Sequence, residues 1–106
     1  MQAIDSSEMS KHAEEAAELL RKLANPRRLM VLCTLVDGEM SVGEINIKVP
    51  LSQSALSQHL AALRKASLVS TRREAQTIFY SLNGDKATRI MAVLQDMYCP
   101  KATGKR

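Results

Sequence analysis

Leu56, Leu60 and Leu63 recur at the spacing of one helical face inside the run Leu51-Ser52-Gln53-Ser54-Ala55-Leu56-Ser57-Gln58-His59-Leu60-Ala61-Ala62-Leu63-Arg64. That leucine edge needs another layer to bury it, so the segment is the anchor around which a small helical domain must assemble. The opposite edge carries Ser54, Ser57, Gln58 and Ala61, where an ordinary solvated helix is richer in Lys and Glu. Short Ser and Ala side chains let a helix sink into a groove, and Gln can bond bidentately to a base edge. The plain alternative is a merely solvated polar face. The basic segment that follows favours a helix that reads DNA.

The rest of the chain supplies the surrounding layers. Its 106 residues hold one core, and with 45% hydrophobic residues the chain is globular. Phe79, Tyr80 and Tyr98 are the only aromatics, so Leu, Val, Met and Ala build the interior, which favours helices over a sheet sandwich. No repeat or linker-like stretch divides the sequence. It reads as a single domain over 1–106, with an ordered core of about 8–99 and a frayed tail over 100–106.

Local signals give the element order. Ser7 or Ser10 is expected to cap a first helix running to Ala24, with Ala13, Ala16, Ala17, Leu20 and Leu23 on its apolar stripe. Asn25-Pro26 opens a second helix, Asn as the cap and Pro in the first turn, and Asp37-Gly38 ends it. Ser41 with Glu44 three residues later forms a capping-box pattern for a short helix over 42–48. Val49-Pro50-Leu51 breaks that helix, and Ser52 caps the next, to about Ala66. The pair is a helix-turn-helix. Residues 69–73 and 77–82 are β-branched and aromatic, so Glu74-Ala75-Gln76 joins a hairpin. A last helix runs to about Cys99 before Pro100. The fold class is therefore mainly α with a β-hairpin wing: a winged helix-turn-helix of five helices.

Charge supports the same reading. Fifteen Lys plus Arg oppose eleven Asp plus Glu, a net charge of +4. Acids crowd the first helix (Glu8, Glu14, Glu15, Glu18), whereas Arg64, Lys65, Arg72 and Arg73 follow the groove-compatible face. A localised basic patch suits a polyanion. The DNA-contacting candidates are Gln53, Ser54, Ser57, Gln58, Arg64, Arg72, Arg73 and Gln76, with Gln53 on the flank of the helix and nearer phosphate than base. His59 lies about 60° from the leucine stripe and reads as a packed or capping residue. No P-loop, dinucleotide turn or Cys-x-x-Cys is present, so no enzyme constellation emerges. No apolar run nears the ~20 residues of a membrane span, and no secretory leader is visible, so a cytoplasmic location is expected, with reduced thiols.

The pieces Leu23-Ala24-Asn25-Pro26-Arg27-Arg28-Leu29, Ser41-Val42-Gly43-Glu44-Ile45, the run from Leu51 to Leu60 and Gln76-Thr77-Ile78-Phe79-Tyr80 fall in the order found in the ArsR-type bacterial winged-helix repressors. The chain resembles that family over roughly residues 10–99. The resemblance implies a homodimer joined through the first and last helices that binds an inverted-repeat operator on double-stranded DNA. In two metal-sensing patterns of the family the ligand positions are occupied here by Ser41 and Gly43, or need a histidine that the last helix lacks; His12 and His59 lie elsewhere. No metal or other cofactor is expected. Cys33 and Cys99 are similar in placement to the thiols of the family's dithiol subgroup of HlyU-like and BigR-like regulators. That resemblance implies a redox-sensing pair that cross-links with oxidants or reactive sulfur species and weakens DNA binding. Taken on its own residues, Cys33 reads first as a small apolar core side chain. A DNA-binding regulator with inert cysteines, constitutive or answering to another ligand or metal, stays open at this point, as does an interaction module that has lost DNA binding.

Overall fold

Five helices and three short strands follow one another in a computed structural model that describes residues 6–99: α1 (Ser6–Leu23), α2 (Pro26–Leu35), β1 (Met40–Ser41), α3 (Val42–Lys48), α4 (Gln53–Lys65), β2 (Val69–Glu74), β3 (Thr77–Leu82) and α5 (Lys86–Tyr98). The expected tail after Pro100 lies outside the described residues. α1 is already helical at Ser6, so Ser7 and Ser10 sit within its first turns and neither begins it. Serine tolerates a helical position at a few tenths of a kcal/mol, and Glu8 in the first turn complements the helix dipole.

The other boundaries follow from their chemistry. Asn25 Oδ1 accepts the Arg27 and Arg28 N–H groups at 2.9 and 3.2 Å, and Pro26 occupies the position where a missing N–H costs nothing. α2 closes two residues before Asp37, and Gly38 makes the turn with φ +138°. In the capping box the Glu44 N–H donates to Ser41 Oγ, while the Ser41 N–H donates to Glu44 Oε1. Ser52 Oγ accepts from the Ala55 N–H at 3.1 Å and starts α4. α4 ends in paired bonds, Ser67 N–H to the Arg64 carbonyl and Leu68 N–H to the Leu63 carbonyl, both 2.9 Å. This closure needs a left-handed residue; Ser67 takes φ +62° there.

The hairpin pairs Val69 with Leu82 through Glu74 with Thr77, leaving only Ala75-Gln76 as the loop. Glu74 therefore belongs to the strand and not to the turn. Positive φ at the first loop residue alone (Ala75, +56°) fits the II′ pattern that matches strand twist. β1 is a third strand that the sequence pattern does not announce: Met40 pairs with Tyr80 and Ser41 with Phe79, so the order is β1-β3-β2.

The helices and the root of the sheet share one core. Leu56, Leu60 and Leu63 of α4 pack with Val31, Leu32 and Leu35 of α2, Ile45 of α3, Leu68, Val69, and Ala87 and Met91 of α5. Leu60 is fully buried, and truncating such a leucine costs about 2–5 kcal/mol. Leu60→Ala is expected to lower the unfolding free energy, obtained from denaturant titration at fixed protein concentration, by that amount. A change below about 1 kcal/mol would show that α4 is not anchored through this edge.

Candidate nucleic-acid interface and thiol pair

The buried leucine edge fixes which side of α4 faces outward. Gln53, Ser54, Ser57, Gln58 and Arg64 are all exposed on it. The preceding turn is held from within: Asn46 Nδ2 donates to the Val49 and Leu51 carbonyls at 3.2 and 3.0 Å. Beside α4 runs a groove of about 770 Å³ between that helix, the start of α3 and the inner strand of the wing, lined by Gln53, Ser57, Arg64, Lys65, Gln76 and Thr77 among others. Four of the sequence candidates therefore meet in one groove: Gln53, Ser57, Arg64 and Gln76. Ser54 and Gln58 are exposed elsewhere on α4, and Arg73 is exposed on β2 outside the groove lining.

Arg72 is engaged in a different way from its neighbour. Its Nε and Nη2 donate to the two carboxylate oxygens of Glu39 at 2.9 and 2.8 Å, and Nη1 donates to Glu74 Oε1 at 3.0 Å. The guanidinium also lies over the Phe79 ring, 4.6 Å from its centre. The hydrogen bond from Arg72 holds the Glu39 carboxyl below its usual range, and the two carboxylates keep the arginine charged well above its own. Nothing in the sequence marks Glu39 as this partner, because it lies 33 residues away.

His59 is half-buried on α4. Its Nδ1 accepts from Arg28 Nε at 3.2 Å, and Arg28 Nη1 donates to the Lys22 carbonyl at 3.2 Å. Arg28 thus joins the end of α1 to the outward-facing helix. Burial pushes the His59 pKa down, and the nearby Arg28 and Arg27 charges push it the same way. The unfolded chain therefore binds this proton more readily than the folded one. The contribution to stability is full above about pH 6.5 and is lost as pH falls from there through the lowered folded value. Asn offers an oxygen acceptor at a similar position without titrating. His59→Asn is expected to flatten the fall in melting temperature between about pH 7.5 and 5.5; parallel curves for the two proteins would assign that fall to other groups.

The two cysteines are free thiols, Cys33 partly buried on α2 and Cys99 exposed just after α5. Gln95 lies near both of them. Gln95 Nε2 donates to Cys33 Sγ at 3.1 Å, and the Cys99 N–H donates to the Gln95 carbonyl at 2.7 Å. The residue that touches one thiol is thus a single turn from the other. Gln95 is 62 residues from Cys33, and no sequence signal pairs them. Tyr98 is 78% exposed in the single chain. Among the described residues no cluster of three or more His, Cys, Asp or Glu side chains could hold a metal ion. None of the described helices is long and apolar enough to cross a membrane.

A leucine-anchored helix with a small polar outer face, set against a three-stranded wing, defines a winged helix-turn-helix DNA-binding protein. Comparison with known proteins narrows this. Residues 25–71 match the model of the bacterial regulatory protein, arsR family. The chain is 51% identical over 92 residues to the transcriptional activator HlyU of Vibrio cholerae, covering 87% of this chain and 85% of that one. It is 52% identical over 91 residues to a biofilm growth-associated repressor of Agrobacterium fabrum, covering 86% and 78%. Among solved structures, the transcriptional repressor BigR from Xylella fastidiosa superposes with a TM-score of 0.85 at 43% identity, covering 91% of this chain and 98% of that one. Reduced HlyU from Vibrio cholerae gives 0.82 at 51% identity, covering 87% and 97%. The chain belongs to the ArsR family of bacterial regulatory proteins. It is a DNA-binding transcriptional regulator and not an enzyme.

Proposed function

We propose that this regulator acts as a homodimer on an inverted-repeat operator, and that the thiol state of Cys33 and Cys99 sets its affinity. The observation that carries the switch is the Gln95 amide on the Cys33 sulfur, which sets Cys33 against α5 one helical turn before Cys99. α2 packs on α5 at this point, so a covalent link between the thiols displaces Gln95 and moves the two helices relative to one another. One structural relative, HlyU from Vibrio cholerae, has been solved in a reduced form, which supports reading the thiols of this chain as redox-active.

Ser54, Ser57 and Gln58 contact base edges in the major groove, Gln53 and Arg64 contact the flanking phosphates, and Arg73 and Gln76 on the wing reach the outer backbone or minor groove. Leu20 of α1 and Val93, Met97 and Tyr98 of α5 are exposed in the single chain. A second copy buries these apolar side chains, and two-fold symmetry then sets the recognition helices about one turn of DNA apart. Oxidation of the two thiols removes two hydrogens to an oxidant. With a sulfane-sulfur donor, each thiol instead takes up one sulfur and releases the donor's thiol, and condensation of the two resulting persulfides leaves a trisulfide and expels hydrogen sulfide. Intact mass after each treatment, read together with operator binding, tests this function. A response identical to that of a protein lacking both thiols refutes the switch and leaves a regulator with inert cysteines. Relatives include an activator and a repressor.

A further inference from the structure

We infer that Arg72 positions the wing relative to the recognition helix and does not neutralise phosphate. The register shows why one side chain can do this. Arg72 on β2 lies directly opposite Phe79 on β3, and Phe79 lies opposite Ser41 on β1. From the outer strand the arginine crosses the Phe79 ring and ends on Glu39, just before β1. It is a strap over all three strands. β1 has only two residues and leads straight into α3, the first helix of the helix-turn-helix. Tying Glu39 to β2 therefore fixes the angle between the hairpin and the helix pair that carries α4.

Charge points the same way. One guanidinium facing the carboxylates of Glu39 and Glu74 leaves this cluster net negative, which repels a DNA backbone. Exposed single ion pairs contribute little, but a bidentate arginine–carboxylate pair stacked on an aromatic ring and shared with a second acid is geometrically defined. Arg73 is its neighbour on β2 and points to the other face. Among the described residues it makes no ion pair, and it stays available to phosphate.

The test uses the full chain and a duplex enriched by the parent protein from a random-sequence pool. Affinity is measured across a salt series, and hydroxyl-radical footprints are taken at saturation. Glu39→Gln removes a negative charge, so a purely electrostatic account requires tighter binding. The strap requires binding weaker by about threefold to tenfold. Arg72→Gln is expected to weaken affinity with the salt slope unchanged. Arg72→Lys weakens it similarly, because an ammonium cannot make the planar paired contact. In all three variants protection is lost at the flanks touched by the wing and retained in the central major groove, a selective loss that general destabilisation does not produce. A salt slope reduced by about 0.9 in Arg72→Gln, tighter binding by Glu39→Gln, or uniform loss of the footprint overturns the inference.

Discussion

Ser57→Glu abolishes high-affinity DNA binding while leaving the fold intact: the expected loss is on the order of 100-fold. Ser57 is exposed on α4 and lines the groove beside the wing, so a longer anionic side chain there meets DNA at close range. Two effects add. The short hydroxyl that permits close approach is lost, and a carboxylate is set against the phosphate backbone, where like charges cost several kcal/mol. Ser57→Ala, which keeps the small size and removes one hydrogen bond, is expected to lose only severalfold. Fluorescence anisotropy with the selected duplex measures both, and the melting temperature should match the parent because Leu56 and Leu60 keep their burial. Binding by Ser57→Glu at the parent's affinity would mean that another face of the molecule meets DNA.

The second large effect is chemical. Linking Cys33 to Cys99 is expected to change operator affinity 5- to 150-fold, the range spanned by a coupling of about 1–3 kcal/mol. Cys33→Ser and Cys99→Ser should each remove the whole response, since a link needs both ends. Their affinities before treatment should stay near that of the untreated parent, because neither side chain lies in the groove. Intact mass separates the two chemistries: loss of two hydrogens marks a disulfide, and added sulfur marks a longer bridge. Partial responses in both single-cysteine variants would show that modification of separate thiols, without a link, is what the protein reads.

What could be read from the chain alone was local. The Asn25-Pro26 start, the Ser41–Glu44 capping box and the Ser52 cap each depend on residues within four positions, and the structure has all three. The leucine stripe of α4 is likewise a property of one segment. β1 escaped because Met40-Ser41 has no strand pattern of its own; it becomes a strand only where β3 offers an edge. The hairpin loop is one residue shorter than the sequence pattern suggests, since Glu74 pairs with Thr77 and an alanine supplies the left-handed turn that glycine usually marks. The polar geometry around the site was least legible. Glu39 with Arg72 and Gln95 with Cys33 are brought together only by the tertiary fold. Basic residues could be counted along the chain, but which of them were already satisfied by acids could not.

The strand order β1-β3-β2 has a further consequence for the molecule among its own copies. β2 is an open edge, with one row of backbone donors and acceptors facing away from β3. A bare edge of this kind is a template for another chain's strand. Arg72, Arg73 and Glu74 run consecutively along this border and are all exposed. Charged side chains on an edge discourage strand addition. The same short stretch that anchors the strap across the wing also discourages polymerisation through its edge.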